Sequence, residues 1–530
     1  MKVKNYIFKN IEDLKQNLDL SNINPLKTLI QVFSGLVLLE EIKEIQHIIH
    51  NKNKDIIFIG TTTSGEIYDG KSSKNSILIS IMEFENTALK TDYFINENDF
   101  KLGTDIASKL FEDNTKVMIL FIDGLQTNGS DVLDGIASVN NAIPIAGGMS
   151  GDNGAFKETF IFNKEGVYNK GSVAVSLNSD ILNVFTNYQL NWQPIGQFMT
   201  VTKAEKNRLY EIDGMPASDI YTKYLGHKVG NGLPHSAIEF PLLKIEDDGL
   251  EVCRTFVHKF DDGSLLTIGN LDVGDKVKLA FGNVELVMNN SKSDILNYNQ
   301  FAPEAIFTYS CASRITFLQS QVVVELEPLN DIAPITGFFT YGEIFHHNNK
   351  NSLLNISLTI LGLSENNEDV KIDTGILVKE VDLNVDEKNF FNDKHFLVLD
   401  ALTHLSNRVI EELEDSKKEI ESTHEKIKSS IKFASLIQGA ILPNTDILNH
   451  YTEDYFALWQ PKDTVGGDIY FITELDSKEE LLIMVIDGAG HGVPGAFVTM
   501  LVKAIETQIM AEIKAKTLQP NPALILEYFN

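Results

Sequence analysis

The sequence predicts an α+β, in part α/β, multidomain protein: a layered α/β pair of domains, a long connector helix, and the N-terminal half of a further α/β domain. Three observations predict it. The chain has 530 residues, enough for three or four domains of ~100–200 residues. Hydrophobic residues make up 43% and charged residues 22%, so it can bury cores and is not disordered. Short β-branched runs alternate with helix-patterned stretches until a heptad texture replaces them near residue 396.

Residues 25–200 form the first block. Thr28–Phe33, Asp55–Ile59, Ser76–Met82 and Lys116–Ile122 read as buried strands, four to seven residues long and β-branched. Leu36–His50 and Asp131–Val139 read as helices, the second after Asn128-Gly129-Ser130, a turn with an N-cap residue. Glu158–Phe162 and Gly171–Leu177 read as a strand pair around the turn at Lys164-Glu165-Gly166. The second block, 201–365, is strand-rich: Phe198–Lys203, Leu250–Phe256, Leu265–Ile268, Ala305–Tyr309 and Asn355–Leu361. Its turns are marked at Asp213-Gly214 and Asp262-Gly263, and polar Ser364–Asp369 closes it.

Between 395 and 442, Leu413, Ile420, Ile427, Ala434 and Ile441 recur every seven residues among Glu and Lys. The pattern predicts one helix of roughly 70 Å. It is either a plain amphipathic connector or a parallel signalling coiled coil. Its second seam, Ser416, Thr423 and Ser430, is polar where a coiled coil wants Leu or Ile, so a weak, adjustable homodimer is expected. Residues 445–530 begin a further domain and stop inside an amphipathic helix, with Asn521 as N-cap and Pro522 at its first position. A truncated domain is the expectation.

Composition narrows the partners. Lys plus Arg is 45 and Asp plus Glu is 74, a net charge of −29, which argues against nucleic acid or an anionic membrane as partner. Two cysteines, Cys253 and Cys311, exclude a disulfide scaffold and a cysteine-based zinc site. No apolar run approaches the ~18–20 residues of a membrane span, and the N-terminus lacks a signal peptide's apolar core. A bacterial cytoplasmic location is expected.

Two sets of motifs carry chemistry. In V-G-G-D-I-Y, Asp468 follows a glycine pair; nineteen residues on, M-V-I-D-G-A-G-H-G-V-P-G-A puts Asp487-Gly488 at the end of the strand Leu481–Ile486. Carboxylates at adjacent strand ends can hold a hard cation through oxygen, and the Gly488 carbonyl can join them. The bland alternative is a glycine turn with two solvated aspartates. The pair, with S-L-I-Q-G-A-I-L-P at 435–443, resembles the metal-dependent PPM-type serine/threonine phosphatases of the SpoIIE-like group. The resemblance implies an α-β-β-α sandwich of which this chain holds the N-terminal half. It implies that Asp468 binds one Mn²⁺ or Mg²⁺, that Asp487 bridges two, and that Gly488 ligates the first. The implied reaction is hydrolysis of phosphoserine or phosphothreonine on a protein, often a STAS-type regulator. His491 is read as capping the turn. Further aspartates that the group needs would lie beyond residue 530, so residues 1–530 alone are expected to be inactive.

The second set starts with G-T-T-T-S-G-E-I at 60–67. It has phosphate-loop spacing, but Glu66 stands where a nucleotide site needs lysine, which disfavours nucleotides. I-A-G-G-M-S-G-D-N-G at 145–154 is a second glycine loop without lysine. Small polar residues and glycines at strand ends make a pocket mouth. Ser64, Gly65, Glu66, Gly148, Ser310, Arg314 and Glu343 would give that mouth both charges, Arg314 for a carboxylate and Glu66 or Glu343 for an ammonium. The alternative is tight turns, with Arg314 and Glu343 paired to each other. Cys311 is read as a small buried hydrophobe, not a nucleophile. Together with P-I-G-Q-F-M-T-V-T-K-A (194–204), L-Y-E-I-D-G-M-P-A (209–217), Y-S-C-A-S-R (309–314) and A-P-I-T-G-F-F-T-Y-G-E-I (333–344), these stretches resemble the FIST sensory module, N- and C-terminal parts, over about 25–363. The resemblance implies a small-molecule ligand, amino acids included.

Overall fold

A computed structural model describes residues 1–282, 301–366, 385–476 and 478–529. The end of the closing stretch Ser364–Asp369 lies, past Asn366, outside the described residues. The chain divides into two units, Met1–Arg408 and Val409–Asn530.

The first unit repeats one design three times. The first module runs β1 (Lys2–Phe8), α1 (Ile11–Asn17), β2 (Thr28–Ser34), α2 (Leu39–Lys52) and β3 (Ile57–Thr62). A hairpin follows, β4 (Glu66–Tyr68) and β5 (Lys71–Ser73), and then β6 (Ile77–Glu83). The second runs β7 (Ala88–Phe94), α3 (Asp99–Leu110), β8 (Thr115–Ile122), α4 (Gly129–Val139), β9 (Ile145–Met149), the hairpin β10 (Ile161–Asn163) and β11 (Gly166–Tyr168), and β12 (Ser172–Asn178). Asn128 caps α4, its side chain accepting from the Ser130 and Asp131 amides, as the turn predicted.

The third module opens with β13 (Asn183–Gln189) and takes a long insertion before it resumes. The insertion comprises β14 (Trp192–Glu205), β15 (Arg208–Ile212), β16 (Met215–Pro216), α5 (Ala217–Asn231), β17 (Leu242–Ile245), β18 (Glu251–Arg254), β19 (Phe256–Lys259), β20 (Leu265–Thr267) and β21 (Lys276–Gly282), which build an eight-stranded sheet. The module then continues through β22 (Ala305–Cys311), α6 (Ala312–Leu318), α7 (Val323–Asn330), β23 (Ile335–Thr340), the hairpin β24 (Glu343–His347) and β25 (Lys350–Leu354), and β26 (Leu358–Ser364).

Each module pairs two strands in parallel across its helices: β2 with β3, β8 with β9, β22 with β23. Each hairpin, however, joins another module's sheet. The sheet orders are β1-β6-β2-β3-β10-β11, β25-β24-β9-β8-β12-β7 and β13-β26-β22-β23-β4-β5. The first module's hairpin completes the third sheet, the third's completes the second, and the second's completes the first. The exchange closes a ring, sealed by three equivalent backbone bonds: Ser64 N–H to Phe339 O (2.8 Å), Gly151 N–H to Thr62 O (3.0 Å) and Tyr341 N–H to Met149 O (3.3 Å).

The inner faces of the three sheets share one apolar core. Phe33, Phe121 and Phe338, one from each module, are in mutual ring contact with centroids 5.2–5.8 Å apart. Tyr309 joins them. Close packing demands glycine at one repeated place: a Cβ on Gly337 or Gly147 would collide with the carbonyl of Thr308 or Leu120 on the neighbouring parallel strand. The strands of 25–200 and 201–365 are thus interleaved, and residue 200 falls inside β14.

A helix, α8, spans Val385–Ile441, with Leu413, Ile420 and Ile427 exposed. It begins ten residues ahead of the expected 395. In the second unit, β27 (Ile469–Glu474) and β28 (Leu481–Ile486) pair antiparallel, followed by α9 (Gly492–Lys514) and α10 (Pro522–Glu527). Asn521 caps α10 as expected. A small core forms around Ile469, Phe471 and Val502. Among the described residues no helix is long and apolar enough to cross a membrane.

Candidate functional site

The expected pocket residues lie at strand ends, where the modules trade hairpins. Ser64 and Gly65 leave β3 and lead into β4; the Gly65 carbonyl accepts from the Phe339 amide at 2.8 Å. Glu66 pairs with Phe338 of β23 and with Ser73 of β5. Ser310 stands opposite Phe339 on the adjoining parallel ladder. These four residues therefore share one seam. Gly148 and Glu343 face each other across β9 and β24, at the equivalent seam of the ring.

The two glutamates are buried alike and satisfied differently. Glu66 sits in a cage of hydroxyls: Thr63 (2.7 Å), Ser73 (3.1 Å) and Ser76 donate to it. Burial raises its pKa and these hydroxyls oppose the rise. Glu343 takes the Ser357 hydroxyl (2.8 Å) and amide (3.2 Å) on Oε2. Its Oε1 has no hydrogen-bond partner among the described residues. Burial pushes its pKa up to about 8, against the pull of the Ser357 donors. Ser64 Oγ and Ser310 Oγ are also buried without a partner among the described residues. Cys311 is buried, and its thiol is pushed up to about 12 by burial and then by the charge of Glu343. An inert thiol is what the sequence predicted.

Arg314 differs from its expected role. It is fully buried on α6, paired with Glu325 of α7, and it donates to the carbonyls of Leu190 (3.0 Å) and Ile356 (2.8 Å). Its charge is matched inside the fold by Glu325, not by Glu343 or by a ligand. The residues missed by sequence reasoning are those that satisfy the acids: Thr63, Ser73, Ser76 and Ser357, and Glu325 for the arginine. The signal was present in S-S-K-N-S, 72–76, one hairpin turn after Glu66.

In the second unit, Asp468 precedes β27 and Asp487 follows β28. Ile469 pairs with Ile486, so the register sets the two carboxyl groups side by side. They are hydrogen-bonded to each other, which raises the pKa of Asp468. Two carboxylates in contact need a proton or a cation between them, and an all-oxygen donor set suits a hard cation such as Mn²⁺ or Mg²⁺. A Cβ on Gly467 or Gly488 would collide with the other's carbonyl, so the backbone here is packed at contact distance. Gln438 of α8, fully buried, holds this loop: its amide donates to Gly466 O (2.6 Å) and accepts from Gly466 N–H (3.1 Å). His491 contacts Asp463 at 2.8 Å; it stands at the N-cap of α9 without a side-chain cap bond. Among the described residues no group of three or more His, Cys, Asp or Glu is placed to hold a metal.

Comparison with known proteins bears on the first unit. Residues 28–215 match the FIST N domain and residues 217–346 the FIST C domain. Over 185 residues the chain is 26% identical to an uncharacterized protein of Methanocaldococcus jannaschii. That match covers 32% of this chain and 34% of the relative, so the chain spans about a third of the length of the curated relative it matches. The seams of the ring and its buried acids Glu66 and Glu343 thus lie within a FIST N and a FIST C domain, which this chain carries over residues 28–215 and 217–346.

Proposed function

We propose that this protein couples a small ligand, of amino-acid size, to metal-dependent removal of phosphate from serine or threonine on a partner protein, such as a STAS-type regulator. The FIST domains give the chain a sensory, ligand-binding role in signalling. The output rests on one observation: Asp468 and Asp487 are brought into contact from separate strands beside closely packed glycines. Asp468, Asp487 and the Gly488 carbonyl are the groups that would hold Mn²⁺ or Mg²⁺. A bound cation of this kind supplies hydroxide at neutral pH by lowering the pKa of its water. Gln438 ties α8 to the loop that carries Asp468, which gives the connector a direct hold on the metal ligands.

A titration with Mn²⁺, followed by loss of the aqueous ion's electron paramagnetic resonance signal, tests this. Binding is expected in the full chain and is expected to weaken about tenfold or more in Asp487→Asn, since carboxylate count sets the affinity of hard-cation sites. His491→Ala is expected to change it less than about twofold. Undiminished binding in Asp487→Asn would place the metal elsewhere. A second reading is a ligand-binding sensor or scaffold without enzymatic output, in which the phosphatase half is vestigial or incomplete.

A further inference from the structure

The three exchanged hairpins offer an internal comparison. Glu66, Ile161 and Glu343 hold equivalent places, paired with Phe338, Thr61 and Gly148 of the accepting strands. Their partners on the outer hairpin strand are Ser73, Tyr168 and Leu354. The residues one step before those are Ser72, Val167 and Leu353. Each outer strand runs beside a helix of the accepting module: β11 beside α2, β25 beside α4, β5 beside α7.

Two of these grooves are filled. Leu353 is buried and reaches the start of α4 at Gly129 and Met149 of β9. Leu354 is buried with Phe345. Tyr168 stacks on Tyr93, with ring centroids 3.4 Å apart, and Val167 packs on the core beneath α2. The first hairpin puts serines where the others have leucine, tyrosine or valine. A cavity of about 310 Å³ lies there, lined by Ser72, Ser73, Lys74, Ile315, Gln319 and Ser320. The far wall is the end of α6, where Gln319 adopts a positive φ of 51°. A non-glycine residue held so is a feature that gathers at ligand sites.

The lining has one charged group, the Lys74 ammonium, and no carboxylate. Behind it, Ser73 already gives its hydroxyl to buried Glu66. Burial raises the pKa of that acid, and the hydroxyls around it oppose the rise.

We infer that this groove binds the carboxylate of a small organic acid, held by the Lys74 ammonium with the hydroxyls of Ser72 and Ser320. The inference rests on the ligand-binding reading of the FIST domains and names a place and a chemistry for it. The acid is a hydroxy acid or an amino acid, and the test separates the two.

The full chain is melted with glycolate, L-serine or ethanolamine at about 10 mM, since a ligand of the folded state raises the melting temperature with its concentration. One or both acids raise it, and ethanolamine, which lacks a carboxylate, does not. Lys74→Ala weakens the apparent affinity about tenfold, and Lys74→Arg keeps it within about threefold. Ser72→Leu, which copies Leu353 of the third hairpin, abolishes the response while the ligand-free protein melts no lower. A response to neither acid overturns the proposal. A response undiminished in both Lys74→Ala and Ser72→Leu also overturns this groove, yet leaves ligand binding by the FIST domains standing.

Discussion

Glu343 and Glu66 occupy the same place in two modules, and the difference between them lies in single side chains. Ser76 and Ser357 are equivalent, and each donates to its glutamate. Ser73 donates to Glu66 as well, but its counterpart beside Glu343 is Leu354. The other Glu66 oxygen takes the Thr63 hydroxyl, whereas the Thr340 hydroxyl at the equivalent place donates to Met149 O, so Glu343 Oε1 has no partner among the described residues, in surroundings that favour a protonated acid. Folded Glu343 keeps its proton up to about pH 8, whereas an unfolded glutamate releases it near its ordinary 4.5. Unfolding therefore releases a proton between those limits. The stability this acid contributes is present below pH 4.5 and is lost as pH rises through about 8. The slope is on the order of 1.4 kcal/mol per pH unit at most. Glu343→Gln keeps an acceptor for Ser357 and cannot ionise. The variant should flatten the fall in melting temperature between pH 5 and 8; thermal melts across that range decide it, and an unchanged slope would assign the fall to other groups. Arg314 carries the same lesson from the other side. A buried cation needs a partner at once, and the fold supplies Glu325, so the guanidinium is spent on holding α6 to α7.

At the level of elements, α8 leaves Leu413, Ile420 and Ile427 more than half exposed on a heptad spacing. Ser416, Thr423 and Ser430 are exposed beside them. One apolar seam and one polar seam predict a weak parallel dimer. Replacing the three polar residues with Leu should tighten it, and light scattering at matched concentrations should show the dimer persisting to about tenfold higher dilution. A monomer at every concentration, in both forms, would remove the coiled coil. Elements of this kind were legible because their signals are local. The heptad marked α8, Asn128 and Asn521 marked the starts of α4 and α10, and Leu481–Ile486 was bounded to the residue. Predicted Leu250–Phe256 proved to be two strands that part at Thr255. Asn355–Leu361 was placed three residues early, because Ile356 and Ser357 satisfy Arg314 and Glu343 instead of a ladder and the Asn355 side chain donates to Tyr341 O. The acids of the site were legible as residue types. Their partners, and that of Arg314, were not, because Ser357 reaches Glu343 and Glu325 reaches Arg314 only after the chain has folded back.

The arrangement of the whole first unit has no local signal. The echo of T-S-G-E-I at 63–67 in T-Y-G-E-I at 340–344 is its one visible trace. The echo marks equivalent turns from which hairpins depart, but nothing in it says that each hairpin crosses to a different module. That crossing has a mechanical consequence for the blocks 25–200 and 201–365. Cut at residue 200, the first piece retains β10–β11 on β3, because donor and acceptor both lie within it. It loses β24 from the edge of β9, and it leaves β4–β5 without β23. It also loses Phe338 and Tyr309 from the aromatic cluster that the modules share. Three strands, β9, β4 and β13, thereby lose a partner strand, and exposed edges of this kind pair with other chains. Aromatic side chains carry the largest burial per residue, and truncating one typically costs 3–5 kcal/mol, a large part of the ~5–15 kcal/mol that holds a domain. Residues 1–200 are therefore expected to aggregate or to unfold without a cooperative transition, while residues 1–408 melt as one unit. Circular dichroism melts and size-exclusion chromatography of the two fragments compare them directly. A monomeric 1–200 fragment with a sharp melt would show that the modules fold independently and that the hairpin exchange is a late docking step rather than part of their stability.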